Sequence, residues 1–176
     1  MKKNYEKILP SYIFDIQEIN NLSKVMFMNN FPHHQFILCT SGTGKICTES
    51  NIEQTVSKSN IVFINSSILF SIRQQENFSI KRIAFNGNFV TNYLQYFDFN
   101  QAVVFVPKSD EVFNAFNIAY DGYMHNKDDI QNSVNMYNLI GVCGESYVSS
   151  KPTLLTPEDF IAENGFDFIK QNISSI

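Results

Sequence analysis

From residue 20 to residue 107 the chain alternates between short apolar runs and turn residues. The runs fall at 25–27, 35–40, 45–48, 53–56, 61–64, 69–72, 79–85 and 102–106. Between them stand Asn29-Asn30, Ser41-Gly42, Glu49-Ser50-Asn51, Lys58-Ser59-Asn60, Asn65-Ser66-Ser67 and Gln75-Glu76-Asn77. Strands this short at such regular spacing predict an antiparallel sandwich or barrel. Gly42-Thr43-Gly44 predicts a hairpin turn that needs positive φ. The segment Ile80-Lys81-Arg82-Ile83-Ala84-Phe85-Asn86-Gly87 reads as a strand that passes directly into an amphipathic helix. Residues 1–19 place Tyr5, Ile8, Leu9, Tyr12, Ile13 and Phe14 at irregular intervals, the pattern of an extended arm or an edge strand.

After Pro107 the period changes. Ser109-Asp110-Glu111 predicts a helix start with acids in its first turn. Val112, Phe113, Phe116, Ala119, Tyr120 and Tyr123 then share one helical face. The segment 126–129 interrupts the pattern, and a second helix is predicted over 130–148, with Val134, Tyr137, Leu139, Ile140 and Val142 on its apolar side. Gly141 and Gly144 lie inside it and predict a close approach by another backbone. Residues 149–153 read as a linker. Thr156-Pro157-Glu158-Asp159 predicts a further helix start: a capping Thr, Pro at the first helical position, acids at the positive end of the dipole. The pattern as a whole is mainly β with C-terminal helices, an α+β class.

Composition narrows the function. The chain has 176 residues, 44% hydrophobic and 17 of them Phe, enough for a substantial core. Its net charge of −4 is wrong for a module that grips phosphates through Lys and Arg. Cys39, Cys47 and Cys143 are an odd set without a C-x-x-C pair, which predicts reduced thiols rather than a disulfide scaffold. No signal-peptide core follows the basic N-terminus, and no window is apolar enough to span a membrane. A cytoplasmic protein without membrane contact is expected.

Candidate chemistry is sparse. His33 and His34 suggest a metal site, but neighbours on a strand point to opposite faces and cannot converge on one ion. His34 at the mouth of the barrel, bonding ligand or backbone, fits better, and no metal or cofactor is expected. Gly42-Thr43-Gly44 precedes no helix that could hold a phosphate. Cys39 lies in mid-strand, and Gly144-Glu145-Ser146 lacks the following Gly of a nucleophile elbow, so no catalytic residue is expected. Arg82 is the most informative polar residue. It shares a face with Ile80 and Ala84, while Lys81, Ile83 and Phe85 take the other. Two readings are open for it: a snorkelling surface side chain, or an interior guanidinium that pairs with a carboxylate or hydroxyls.

Ser41-Gly42-Thr43-Gly44, followed by short strands and then Phe85-Asn86-Gly87, resembles the N-terminal regulatory domain of AraC-family transcription factors. Residues 166–173, with Phe168-Ile169 and Asn172, are similar to the first helix of that family's DNA-binding domain. The resemblance implies a cupin-like antiparallel β-barrel, or jelly roll, over 20–108, after an arm over 1–19. A helical dimerisation pair would follow over 109–149, then a linker and the start of a missing helix-turn-helix domain over 150–176. It implies a non-enzymatic effector-sensing and dimerisation domain, a homodimer that meets DNA only through the missing part. The lumen would be lined by Ile37, Cys39, Ser41, Phe70, Ile72 and Arg82, with His34 at its mouth. Val134, Tyr137, Leu139, Ile140, Gly141 and Gly144 are the expected dimer face. The position of a sugar-binding turn is held by Asn65-Ser66-Ser67 and an apolar run, which argues for an amphipathic acid as effector over a sugar. The alternatives are a catalytic metal-dependent cupin and a dimerisation module controlled by a protein partner.

Overall fold

Two long strands organise the protein: β3 (His34–Thr48) and β6 (Phe70–Asn86) pair antiparallel from His34 opposite Phe85 to Thr48 opposite Phe70. The computed structural model describes residues 9–22, 26–28, 31–49, 53–125 and 128–151. The expected turns at Ser41-Gly42-Thr43-Gly44 and Gln75-Glu76-Asn77 are therefore corrected, since the chain runs through both without reversing. Instead the β3–β6 register shifts between Cys39 and Ser41 and twice more before Gly44. Gly42 (φ 68°) and Asn77 (φ 41°) take left-handed conformations at the irregularity. A Cβ on Gly42 would stand 2.0 Å from the Glu76 carbonyl oxygen, so only glycine fits. Turn and bulge use the same residues, because both need positive φ and tolerate a missing side chain.

The reversals lie elsewhere. β4 (Glu53–Ser57) folds back on the second half of β3, and β5 (Ile61–Ile64) pairs with the first half. The turn between them is set by Asn60, whose side-chain oxygen accepts from the Ser57 N–H at 2.9 Å, with Ser59 at φ 70°. β1 (Tyr12–Ile19) and β2 (Met26–Met28) divide the outer edge of β6 in the same way. β7 (Val103–Phe105) adds to β5, giving the antiparallel path β1-β6-β3-β5-β7. Residues 1–8 of the expected arm, and everything from 152 onward, lie outside the described residues.

Alternation gives this sheet two apolar faces. Phe36, Leu38, Ile61, Phe63, Ile83 and Phe85 pack under the helices. Ile37, Cys39, Val62, Ile64 and Ile80 form a second core on the opposite face with Phe70, Ile72 and Phe78. α1 (Val90–Tyr96) follows the Phe85-Asn86-Gly87 segment as the sequence predicts. α2 (Asp110–His125) begins at its expected acids and buries Val112, Phe116, Ala119 and Tyr120. α3 (Asp129–Ser150) is capped by Asp128, whose carboxylate accepts from the Ile130 and Gln131 N–H groups at 3.0 and 3.2 Å. It runs two residues past its expected end, so Ser149 and Ser150 are helical rather than linker.

Candidate functional site

Arg82 stands in register with Ile37 of β3 on one side and Gln17 of β1 on the other. Its side chain is 5% exposed, which rules out snorkelling. Nη2 donates to the Asp15 carboxylate at 2.6 Å and Nη1 donates to Oε1 of Gln35 at 3.4 Å, while Nε is buried and has no partner. Burial lowers the Arg82 pKa and the neighbouring Asp15 opposes it; a guanidinium so placed still carries its charge. Asp15 arrives here through a bulge of β1 between Ile13 and Asp15, which takes Phe14 out of the alternation. Phe14 stacks on His33 at 3.9 Å, Phe31 meets both rings edge-on, and the Phe31 ring lies 5.2 Å from the guanidinium carbon. The result is a fixed cation one strand in from the sheet edge, partly neutralised and faced by the Phe31 ring, a geometry suited to holding an anion.

The other residues expected around this lumen divide. Ile37 lies beside Arg82, and Cys39 follows on the same face. Phe70 and Ile72 belong to that core as well but stand ten or more residues away along β6, opposite Thr48 and Ile46. Ile37 and Ile72 expose no surface at all, so side chains fill the space expected to be open there. The Ser41 hydroxyl is spent on the Asn77 carbonyl at 3.0 Å. His34 is a correction: it pairs with Phe85 on the opposite face, under the helices, and packs near Phe63 and Phe85. Its Nδ1 accepts from the Ser66 N–H at 3.2 Å, and burial, with His33 adding a smaller repulsion, takes its pKa down to about 4.

The helical residues need a similar correction. Leu139 and Ile140 are wholly buried in the core, and Gly141 and Gly144 lie beneath Tyr93 and Phe97 of the α1 region. They face inward and cannot meet a partner. Val134 and Tyr137 do face out, with Ile130 and Val148 continuing their stripe. Beside that stripe, Pro10, Phe89, Ser133, Val134, Tyr137 and Asn138 line a shallow groove of about 370 Å³. Asp15, Gln35 and Phe31 were not singled out from sequence. None of the three carries a sequence signal, since Tyr12-Ile13-Phe14-Asp15 shows no alternation from which the bulge could be read. Among the described residues no three His, Cys, Asp or Glu side chains gather as a metal site, and no helix is long and apolar enough to cross a membrane.

No family model matches the chain. Solved structures of ToxT from Vibrio cholerae are similar in fold. One, from strain O395, is bound to (E)-4-(8-methylnaphthalen-1-yl)but-3-enoic acid; it aligns at a TM-score of 0.55 and 10% identity over 85% of this chain and 61% of that one. Another, wild-type ToxT bound to an unsaturated fatty acid, aligns at a TM-score of 0.50 and 10% identity, over 90% of this chain and 61% of that one. Curated relatives match more locally. UvrABC system protein B of Halalkalibacterium halodurans is 32% identical over 83 residues, 47% of this chain and 12% of that protein. The same protein of Listeria monocytogenes is 34% identical over 77 residues, 44% and 11% respectively. The chain thus spans about an eighth of the curated relatives it matches and about three-fifths of ToxT. At these identities the structural likeness establishes a fold, mainly antiparallel sheet with three helices among the described residues, and the local matches bring no site with them.

Proposed function

We propose that the chain is the effector-binding and dimerisation part of an AraC-type transcriptional regulator, with a cupin-like jelly roll as its sensing unit and an amphipathic acid as its effector. The observation that carries the reading is the buried Arg82, roofed by Phe31 and reached from the rim by Asp15. The ToxT-like fold supports it, since ToxT is a regulator of that family and two of its structures hold carboxylic acids. A ligand carboxylate would pair with the guanidinium and lay its chain against Phe14, Phe31 and His33. Binding would shift a conformational equilibrium only by its differential affinity for the two states.

The rest of the proposal follows the sequence reading. It is a cytoplasmic homodimer in which the expected arm over 1–19 contributes β1 to the sensing unit over 20–108, with a helical dimer element over 109–149. DNA would be read by a domain continuing from 150–176. The reading is non-enzymatic and uses no cofactor; the thiols of Cys39 and Cys143, raised in pKa by burial, make poor nucleophiles.

A thermal-shift experiment tests it. Decanoate at a hundred times its Kd should raise the melting temperature by roughly 5–10 °C, and arabinose or glucose should not. Arg82→Met should retain the fold and lose the response. Stabilisation by sugars, or by decanoate in the Arg82 variant, would remove Arg82 as the anchor. A second reading, control by a protein partner without a small ligand, draws on the filled core around Ile37 and Ile72; it gains if no acid shifts the transition.

A further inference from the structure

We infer that Asp15 is an internal rival of the ligand's carboxylate at Arg82, and so determines which head groups the site accepts. This rests on the effector reading above. Nε and Nη2 lie on one edge of the planar guanidinium, the edge that receives a carboxylate side-on through two parallel hydrogen bonds. Asp15 engages only Nη2, through one oxygen at 2.6 Å; Nε on the same edge is buried and unpartnered. The edge is half used.

The two partners differ in freedom. The Arg82 side chain is 5% exposed and sits in mid-strand between β3 and β1, whereas the Asp15 side chain is 48% exposed on an edge strand beside a bulge. Asp15 can therefore turn into water with little change in its own solvation, and the buried guanidinium it leaves is uncompensated until another carboxylate takes its place. Arg82 cannot follow it. Around the guanidinium, Gln35 supplies a long contact to Nη1 and Phe31 a ring face, and Asp15 is the carboxylate bonded to it. An incoming carboxylate that takes both Nε and Nη2 gains a bond Asp15 does not make and leaves Asp15 hydrated at the rim. An alcohol or amide head group offers no second anionic oxygen, and Asp15 keeps its place. Asp15 is thus a specificity-determining residue: it raises the threshold for any ligand and raises it most for neutral ones.

Calorimetric titration of the full chain with decanoate and with decanol tests this, using wild type, Asp15→Asn, Asp15→Ser and Arg82→Met, with circular dichroism as the check on folding. Both Asp15 variants should bind decanoate roughly two- to fivefold more tightly than wild type, the range expected for removing a partly exposed ion pair. The same variants should narrow the preference for acid over alcohol, and Arg82→Met should bind decanoate poorly. Equal decanoate affinity in wild type and both Asp15 variants overturns the rivalry and leaves the effector reading standing. Weaker binding in both variants also overturns it, since Asp15 would then be holding Arg82 in position. Decanoate binding to none of the wild-type and Asp15 proteins overturns the effector reading itself. Two Asp15 variants are used so that a folding failure in one does not remove the test.

Discussion

Gly144 lies directly beneath the ring of Phe97: a Cβ built on it would stand 2.2 Å from Cγ and 2.3 Å from Cδ2. This contact seats α3 against the end of α1, and Phe97 has no room to retreat within the same apolar cluster. Gly144→Ala gains about 1 kcal/mol of helix propensity and incurs an overpacking cost of about 1–3 kcal/mol. Urea denaturation should show a net loss of up to about 2 kcal/mol. Gly141→Ala meets only the hydroxyl end of Tyr93 at 2.5 Å, which can swing away, so it should be close to neutral. Equal stability of the two variants would show that the ring is not confined.

The three thiols should separate by reactivity. Burial pushes Cys39 up to about 11 and Cys143 higher, while Cys47 is partly exposed, 3.4 Å from the Glu53 carboxylate. Burial and then Glu53 raise the Cys47 pKa too, so it should react more slowly than a free cysteine. Ellman's reagent at pH 8 should nevertheless modify one thiol in the folded protein and all three in guanidinium. Cys47→Ser should remove the early phase. If that phase persists, either Cys39 or Cys143 is reached by local opening.

The sequence shows elements better than it shows their joints. The helices α2 and α3 begin at or within one residue of their expected starts, because acids and caps mark helix N-termini through a local hydrogen bond. The long pair β3 and β6 has the sequence pattern of four strands, because a bulge at Gly42 and a hairpin there require the same backbone conformation. Only the partner strand decides between them, and partners are non-local. The face of Arg82 was legible from alternation alone, as was the opposition of His33 and His34. The partnership with Asp15 was not, since it depends on a bulge in β1 that shifts the register against β6.

The same limit explains the error on α3. A 22-residue helix with apolar residues on several faces does not say which face meets the sheet. Leu139 and Ile140 went inward because α1 and α2 pack there, and the glycines that promised a close neighbour found it in Tyr93 and Phe97.

A dimer is therefore expected to form through the outward stripe of α3. Ile130, Val134, Tyr137 and Val148 are all exposed on α3, and Val134 and Tyr137 also line the groove with Phe89. An isologous pairing would bury this stripe on both copies. Val134→Glu, alone or with Ile130→Glu, should give a folded monomer in sedimentation velocity. Leu139→Glu should unfold the protein, because it places a charge in a fully buried site. A dimer that persists in the double variant puts the interface elsewhere.

His34 should give the protein an acid-sensitive stability window that does not depend on its carboxylates. Its folded-state pKa is about 4 against 6.5 when unfolded, because the buried imidazole, packed near Phe63 and Phe85, resists charging. Between these values the unfolded chain binds a proton that the folded one refuses, so stability falls as the pH drops from about 7 toward 4. The full difference corresponds to about 3 kcal/mol. Glu53 and Asp98, whose pKa values are lowered chiefly by hydrogen bonds from Lys45 and Lys151, also lose stabilisation as the pH falls, starting in the ordinary carboxylate range and continuing below it. Comparison with His34→Leu removes their shared contribution. The variant loses the Ser66 N–H acceptor at every pH, which lowers its whole curve without changing its slope. Denaturation midpoints measured at half-unit intervals from pH 4.5 to 7.5 should then slope in the wild type and flatten in the variant. Parallel curves would mean that His34 charges as easily folded as unfolded, and that the helical face of the sheet is wet at that point.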